Sequence, residues 1–247
     1  MSQLFTTILY QPIFNAFVAL YNVIPDLGIV IVIITVVIKL ALYPMTKKSI
    51  AAQKSMQDLQ PKMEAIKVTY KDDKQKLAEE TMKLYKEHKV NPLGSCLPLL
   101  VQFPVFIALY YVLRSGLTTD NFDLLYEFVA NPGHMNAISF GVDLSKINIP
   151  LAVLAAGSQY WQAKMMQAKQ PPKVAGSKDE GMASMMNKQM LYAMPFITLI
   201  IGLQFPGGLT LYWFLSTLLT ALQQKLMFQK DGGSGKDSDA IDGKIVG

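Results

Sequence analysis

The chain has 247 residues, of which 51% are hydrophobic and 17% are charged, and its net charge is +5. This composition excludes a disordered chain and departs from an ordinary soluble domain, in which about 25% of residues are charged. The single cysteine, Cys96, excludes an internal disulfide framework, and two histidines are too few for a histidine-built metal site. Long apolar blocks alternate with charged blocks, which predicts an all-α integral membrane protein.

The apolar blocks predict five transmembrane helices with an N-terminal interfacial helix and a cytoplasmic helical hairpin. Residues 1–24 are assigned to the interfacial helix on the outer face. The spans follow in chain order at residues 25–46, 91–114, 147–165, 189–206 and 207–228. The segments between and after them are the helical hairpin at 47–90, an outer loop at 115–146, a flexible cytoplasmic loop at 166–188 and a disordered cytoplasmic tail at 229–247.

The distribution of lysines predicts the orientation of these spans. Eleven lysines lie between spans one and two, and five lie between spans three and four. The segment from Arg114 to Lys146 contains only those two basic residues, among four acidic ones. By the positive-inside rule the two lysine-rich segments lie in the cytoplasm, with the N-terminus outside and the C-terminus inside. The basic surplus is therefore a topology signal, and no direct nucleic-acid role is expected.

Lys39 is a charged residue inside the first predicted span. A lysine at the centre of a membrane costs about 2.5–3.5 kcal/mol, so it requires water, a partner or a route to the headgroups. One interpretation is that its side chain snorkels to the cytoplasmic interface. Since the other spans contain no aspartate or glutamate, a buried ion pair is disfavoured. The remaining interpretation is a water-filled cavity.

Polar residues in the other spans support a hydrated interior. The alternative is that they join helices by hydrogen bonds worth about 0.6 kcal/mol each. No carboxylate pair, Ser-His-Asp set, phosphate-binding loop or metal-ligand cluster is apparent, which predicts a protein that is not an enzyme and needs no cofactor or metal. The residues predicted to line or border a groove together with Lys39 are Thr35, Gln102, Gln159, Gln162, Trp213 and Thr217.

Three motifs make the sequence resemble the YidC-type membrane protein insertases. They are Asn91-Pro92-Leu93-Gly94, Phe205-Pro206-Gly207-Gly208-Leu209 and Leu211-Tyr212-Trp213. The resemblance extends over about residues 22–229. It implies a five-helix core in the bacterial inner membrane, with a hydrophilic groove that is open to the cytoplasm and to lipid.

The resemblance also implies the function of this groove. Members insert membrane proteins with short translocated tails without ATP and assist their folding. A basic residue in the first span attracts acidic residues of the tail, and Lys39 occupies this position, where arginine is usual. Gln162 and Trp213 match groove positions of the third and fifth spans. Nascent membrane proteins and the lipid bilayer are the implied partners; the ribosome, the Sec translocon and a targeting receptor are further candidates.

Two other functions remain open at this point. A small-solute transporter could use Lys39 as its binding charge, but such proteins are commonly built from internal inverted repeats, and the five unequal spans show none. A structural assembly scaffold would need no charge at position 39. Insertion activity that depends on Lys39 separates the insertase from the scaffold.

Overall fold

The structure is a computed structural model that describes residues 3–119, 122–166 and 189–232. Helices make up most of these residues, and they pack around a core of buried apolar side chains. The predicted loop at 166–188 lies almost entirely outside the described residues, and so does the tail beyond Gly232. The last helix contacts several of the others and carries several of the polar groups considered below.

The first helix, α1, runs Gln3–Val23 and contains a π-helical turn at Thr6–Tyr10. Pro12, two residues after this turn, has no N–H to donate to an earlier carbonyl. Phe14, Phe17 and Val18 are fully buried, and α1 packs against the second and sixth helices. The sequence predicts an interfacial helix here, whereas the length and hydropathy of Gln3–Val23 also suffice for a span.

The first predicted span is broken. Helix α2 runs Leu27–Ala41, and helix α3, Tyr43–Asp58, continues from it at an angle of 68°. Pro44 explains the break, because it cannot donate a hydrogen bond to the carbonyl of residue 40 and its ring crowds the preceding turn. The boundary between predicted span and predicted hairpin, at residue 46, therefore falls inside α3.

Helices α4 (Gln60–Thr69) and α5 (Lys74–Glu87) follow α3 and pack on each other. The Asp73 carboxylate caps α5 by accepting hydrogen bonds from two backbone N–H groups of its first turn. The Tyr85 hydroxyl donates to Met63 Sδ at 3.2 Å, and burial raises the Tyr85 pKa. Which side of the membrane holds this helical pair is a matter of topology and stays a prediction.

Helix α6 runs Pro92–Arg114 and ends in a π-helical turn at Ser115–Thr119. Helices α7 (Ile149–Met165) and α8 (Met194–Gly202) pack on each other, and α8 follows a π-helical turn at Gln189–Ala193. Helix α9 (Gly207–Gly232) packs most extensively on α7 and also contacts α2, α3 and α6. It extends past residue 228, where the sequence analysis ends the fifth span.

Length and hydropathy identify fewer spans than the sequence analysis predicts. In the described part of the chain, Gln3–Val23 and Leu100–Leu117 are each long and apolar enough to cross a membrane. The bent pair α2–α3 adds a third if it is one span. The helical, membrane-protein character of the chain is therefore confirmed, while the number of five spans stays a prediction.

The segment 122–148 forms a loop that covers one end of the helices, and we call this end the loop-capped end. It contains two short antiparallel strands, β1 (Ile138–Ser139) and β2 (Val142–Asp143), which are an exception to the all-α prediction. Their turn residues, Phe140 and Gly141, both have positive φ, at 50° and 76°. This is the geometry of a two-residue hairpin turn.

Hydrogen bonds attach this loop to the helices. The Asp26 carboxylate caps α2 by accepting from Ile29 N at 3.0 Å, and it also accepts from Ser139 Oγ at 2.6 Å. The first two N–H groups of α9, at Gly207 and Gly208, donate to loop carbonyls at 2.8 Å each. The side chain of Asn15 on α1 bonds to the backbone at Leu124 and Tyr126. The helices are thus held together at the loop-capped end.

Candidate functional site

Lys39 lies in the last turn of α2 and reaches two neutral oxygens on other helices. Its Nζ donates to Thr220 Oγ1 of α9 at 2.9 Å and to Gln102 Oε1 of α6 at 3.3 Å. No carboxylate of residues 3–119, 122–166 or 189–232 lies within ion-pair distance of it. The side chain is half-buried. Its positive charge is therefore solvated by dipoles but not neutralised.

The two acceptors belong to a larger hydrogen-bonded group that we call the Lys39 cluster. Gln102 Nε2 donates to the Tyr212 hydroxyl, and Ser216 Oγ donates to Gln102 Oε1 at 3.3 Å. The Thr220 hydroxyl donates to the Ser216 carbonyl at 2.8 Å, which leaves its oxygen free to accept from Lys39. The cluster therefore joins three helices, α2, α6 and α9.

The helical repeat explains why α9 supplies three members of this cluster. Tyr212, Ser216 and Thr220 are spaced four residues apart, so they share one face of the helix. Tyr212 is almost fully buried, at 1% exposure, and Ser216 is buried as well. A polar face thus extends from the buried first turns of α9 to Thr220, where it meets the charge of Lys39.

A cavity of about 500 Å³ lies beside Lys39, between the α2–α3 bend and α9. Lys39 and Lys47 contribute its two positive charges, and most of its remaining walls are apolar. Leu40 and Leu226, on opposite walls, are about two-thirds exposed. Apolar walls around two positive charges are suited to contact with a polypeptide that has both apolar and acidic parts. The other lining residues are Val36, Tyr43, Leu219, Leu222, Gln223 and Met227.

Beyond the cavity, α9 is joined to α3 by two glutamines. Gln223 Nε2 donates to Thr46 Oγ1 at 3.1 Å, and Gln224 Nε2 donates to Gln53 Oε1 at 3.1 Å. Gln224 is 1% exposed, and its Oε1 has no hydrogen-bond partner among the described residues. Polar contacts between α9 and the α2–α3 unit therefore continue past the bend, away from the loop-capped end.

The structure brings together only some of the residues that the sequence analysis assigns to a groove. Lys39 and Gln102 share the cluster. Thr35 is fully buried and its hydroxyl donates to the Ile31 carbonyl of its own helix at 2.6 Å. Thr217 is buried outside the cluster, and the Trp213 ring packs edge-on against Phe106 with 5.3 Å between centroids.

The two glutamines of α7, Gln159 and Gln162, are half-buried and make no side-chain hydrogen bond within the described residues. Within the same residues, no group of three or more His, Cys, Asp or Glu side chains could hold a metal ion. The groove residues predicted from the sequence do not include Tyr212, Ser216 or Thr220. The four-residue spacing of hydroxyl groups was the signal that could have found them.

The sequence of this chain is similar to those of a known protein family and of several known relatives. Residues 19–232 match the family described as 60Kd inner membrane protein. A membrane protein insertase YidC of Fusobacterium nucleatum is 38% identical over 205 residues, covering 83% of this chain and 87% of that protein. A protein with the same name from Pelobacter propionicus is 34% identical over 218 residues, covering 88% of this chain but only 38% of its own length.

A solved structure is similar in fold. It is described as an active YidC insertase crystal structure with the first transmembrane domain resolved. The similarity covers 92% of this chain and 47% of that one, with a TM-score of 0.57 and 24% sequence identity. The chain therefore has the YidC-like helical fold, and it spans well under half the length of some of the relatives that it matches.

Proposed function

Because the chain belongs to the 60Kd inner membrane protein family, we propose that it inserts membrane proteins with short translocated tails into the bilayer. The step uses no ATP and no cofactor. The cavity beside Lys39 forms part of the predicted hydrophilic groove: its two lysines receive the polar tail, while the apolar helix of the substrate enters the lipid along its apolar walls. Assistance in folding the inserted protein is part of the same proposed activity.

One observation supports this proposal above the others. Lys39 is an uncompensated positive charge on the otherwise apolar helix α2, and it faces the cavity. An acidic residue costs about 2.5–3.5 kcal/mol at the centre of a transmembrane helix. The attraction of Lys39 offsets part of this cost, because Gln102 and Thr220 orient the ammonium group without neutralising it. Hydrophobic partitioning of the substrate helix then completes the step.

The proposed topology places five spans in the bacterial plasma membrane, with the N-terminus and the loop-capped end outside. The α4–α5 pair and the C-terminus lie in the cytoplasm. The lysine-rich composition of α3, α4 and α5 supports this orientation. Of the residues predicted for the groove, the half-buried Gln159, Gln162 and Trp213 then form its more distant walls. Thr35 and Thr217 are buried beside it and stay predictions for the groove.

The proposed partners are nascent membrane proteins and the surrounding bilayer. The ribosome, the Sec translocon and a targeting receptor are further proposed partners on the cytoplasmic side. The exposed apolar side chains of the α4–α5 pair, such as Met82 and Val68, offer contact area for a nascent chain.

The experiment is insertion of a single-span substrate with an acidic tail into proteoliposomes, measured by protease protection. Wild type is compared with Lys39→Arg, Lys39→Leu and Lys39→Glu, each checked for folding by circular dichroism and gel filtration. We expect activity with Arg, loss with Leu and Glu, and partial recovery of Lys39→Glu when the tail carries lysines.

Two results would contradict the proposal. If all four proteins insert the substrate equally, the charge at position 39 has no role in the step. If none exceeds empty liposomes, the protein is not an insertase for this class of substrate, and the scaffold function gains support.

A further inference from the structure

A second cavity, of about 240 Å³, lies at the loop-capped end and is separate from the Lys39 cluster. It is enclosed by the end of α6, the turn between α8 and α9, and the loop. Arg114, Ser145 and Gln204 contribute polar groups to its lining. Tyr110, Phe205 and Leu209 contribute apolar and aromatic surface. The cavity therefore combines one full positive charge with a wall suited to hydrocarbon.

Arg114 and the neighbouring Lys146 differ in their contacts with the acidic side chains of the described residues. Lys146 pairs with Asp143 at 2.9 Å, and the Ser145 hydroxyl together with this lysine lowers the Asp143 pKa to about 2. Arg114 is exposed, and no acidic side chain in the described ranges forms an ion pair with it. The Asp143 carboxylate is thus already satisfied, and the guanidinium remains available to an external anion.

The position of Arg114 indicates the depth of that anion in the membrane. It lies in the last turn of α6, near the end of the apolar stretch Leu100–Leu117. The end of an apolar span coincides with the headgroup layer, where phospholipid phosphates lie. Guanidinium groups match phosphate oxygens with two parallel hydrogen bonds.

We propose that this cavity binds the phosphodiester headgroup of a phospholipid from the leaflet at the loop-capped end. Arg114 holds the phosphate, Gln204 supplies an amide donor at the rim, and the Tyr110–Phe205 side receives the glycerol and the first part of an acyl chain. The two rings already contact each other edge-on, with 5.8 Å between centroids. The lipid would thereby link the end of α6 to the α8–α9 turn.

The test is native mass spectrometry of the purified full chain in detergent, titrated with dioleoylphosphatidylglycerol. Wild type is compared with Arg114→Gln and Arg114→Lys. The matched control is Lys225→Gln, which removes an exposed cation near the opposite end of α9. One basic contact at a membrane surface is worth about a fivefold change in affinity. We expect Arg114→Gln to bind the lipid about fivefold more weakly and Lys225→Gln to bind it as wild type does.

Further arms identify the part of the lipid that is recognised. Dioleoylglycerol, which lacks the phosphate, should bind equally to wild type and Arg114→Gln, and inorganic phosphate at the same concentration should not displace the lipid. Equal phosphatidylglycerol binding by wild type and Arg114→Gln would overturn the proposal. So would displacement by inorganic phosphate, which would show a free-anion site, or an equal loss in Lys225→Gln, which would show general charge attraction.

Discussion

Replacing Gln102 by leucine tests whether the Lys39 cluster holds the three helices together. The Gln102 amide accepts from Lys39 and Ser216 and donates to Tyr212. Leucine has similar volume but can make none of these hydrogen bonds. Lys39 would keep only Thr220 as a partner, and the buried Tyr212 hydroxyl would lose its donor.

The expected loss of stability follows from the number of hydrogen bonds that Gln102 makes. Hydrogen bonds between helices in membrane proteins contribute about 0.6 kcal/mol each on average, so three of them give about 2 kcal/mol. For a chain of this size, each kcal/mol corresponds to about 2–4 °C, which predicts a melting temperature lower by about 4–8 °C. Because one of the three hydrogen bonds comes from the charged Lys39, we expect the decrease in melting temperature to lie in the upper part of this range.

The assay is loss of the monodisperse peak in gel filtration after heating the protein in detergent. The control is Gln159→Leu, which makes the same chemical change at a half-buried position of α7 without a hydrogen bond among the described residues. It should melt at the wild-type temperature or above. If Gln102→Leu melts with the control, the cluster contributes nothing to stability and the argument from its geometry is refuted.

Two further predictions concern Lys47 and Phe140. Lys47 lines the cavity beside Lys39 whereas its neighbour Lys48 does not. If the cavity is the proposed groove, Lys47→Gln should slow insertion of the acidic-tailed substrate about two- to fivefold at low salt, and Lys48→Gln should insert it at the wild-type rate. A difference that persists undiminished at 1 M salt would argue against charge attraction. Phe140 has a φ of 50° and is 83% exposed, so Phe140→Asn should raise the unfolding free energy by about 1 kcal/mol, as measured by denaturant titration in detergent. Equal or lower stability would show that the ring contributes more than the backbone strain costs.

The sequence predicted the helical membrane fold, and Lys39 as its most unusual residue, because both depend on local composition. A lysine in an apolar run is visible without knowledge of the fold, and the matched family and relatives confirm the identification as a YidC-type protein. Gln102 was identified for the same reason: it is a polar side chain in an apolar helix.

Which polar residues surround Lys39 depends on the packing of the helices, and composition carries no information about that packing. Thr35 has the correct spacing from Lys39, yet its hydroxyl bonds to its own backbone, a choice open to any helical threonine. On α9, two polar stripes lie side by side, one containing Trp213 and Thr217 and the other Tyr212 and Ser216. Which stripe faces Lys39 depends on the rotation of α9, and tertiary packing sets that rotation.

The bend between α2 and α3 was not predicted, although its cause, Pro44, is visible in the sequence. Pro44 is a recognised helix breaker, but hydropathy alone places the end of the span two residues after it, at residue 46, where the lysines begin. The angle of 68° depends on where α3 finds packing, and α6 supplies that contact.

The attachment of α2 at Asp26 determines how the helix can move. Its capped end is tied to the β1–β2 hairpin, so a tilt of α2 about this end would move each residue in proportion to its distance from Asp26. Lys39 lies about 20 Å from Asp26 at the helical rise of about 1.5 Å per residue. A tilt of about 10° would then carry its ammonium group about 3 Å, about the length of a hydrogen bond. A tilt of this size would be enough to break the hydrogen bonds of Lys39 to Gln102 and Thr220 and to leave its ammonium group free for a carboxylate of the proposed substrate.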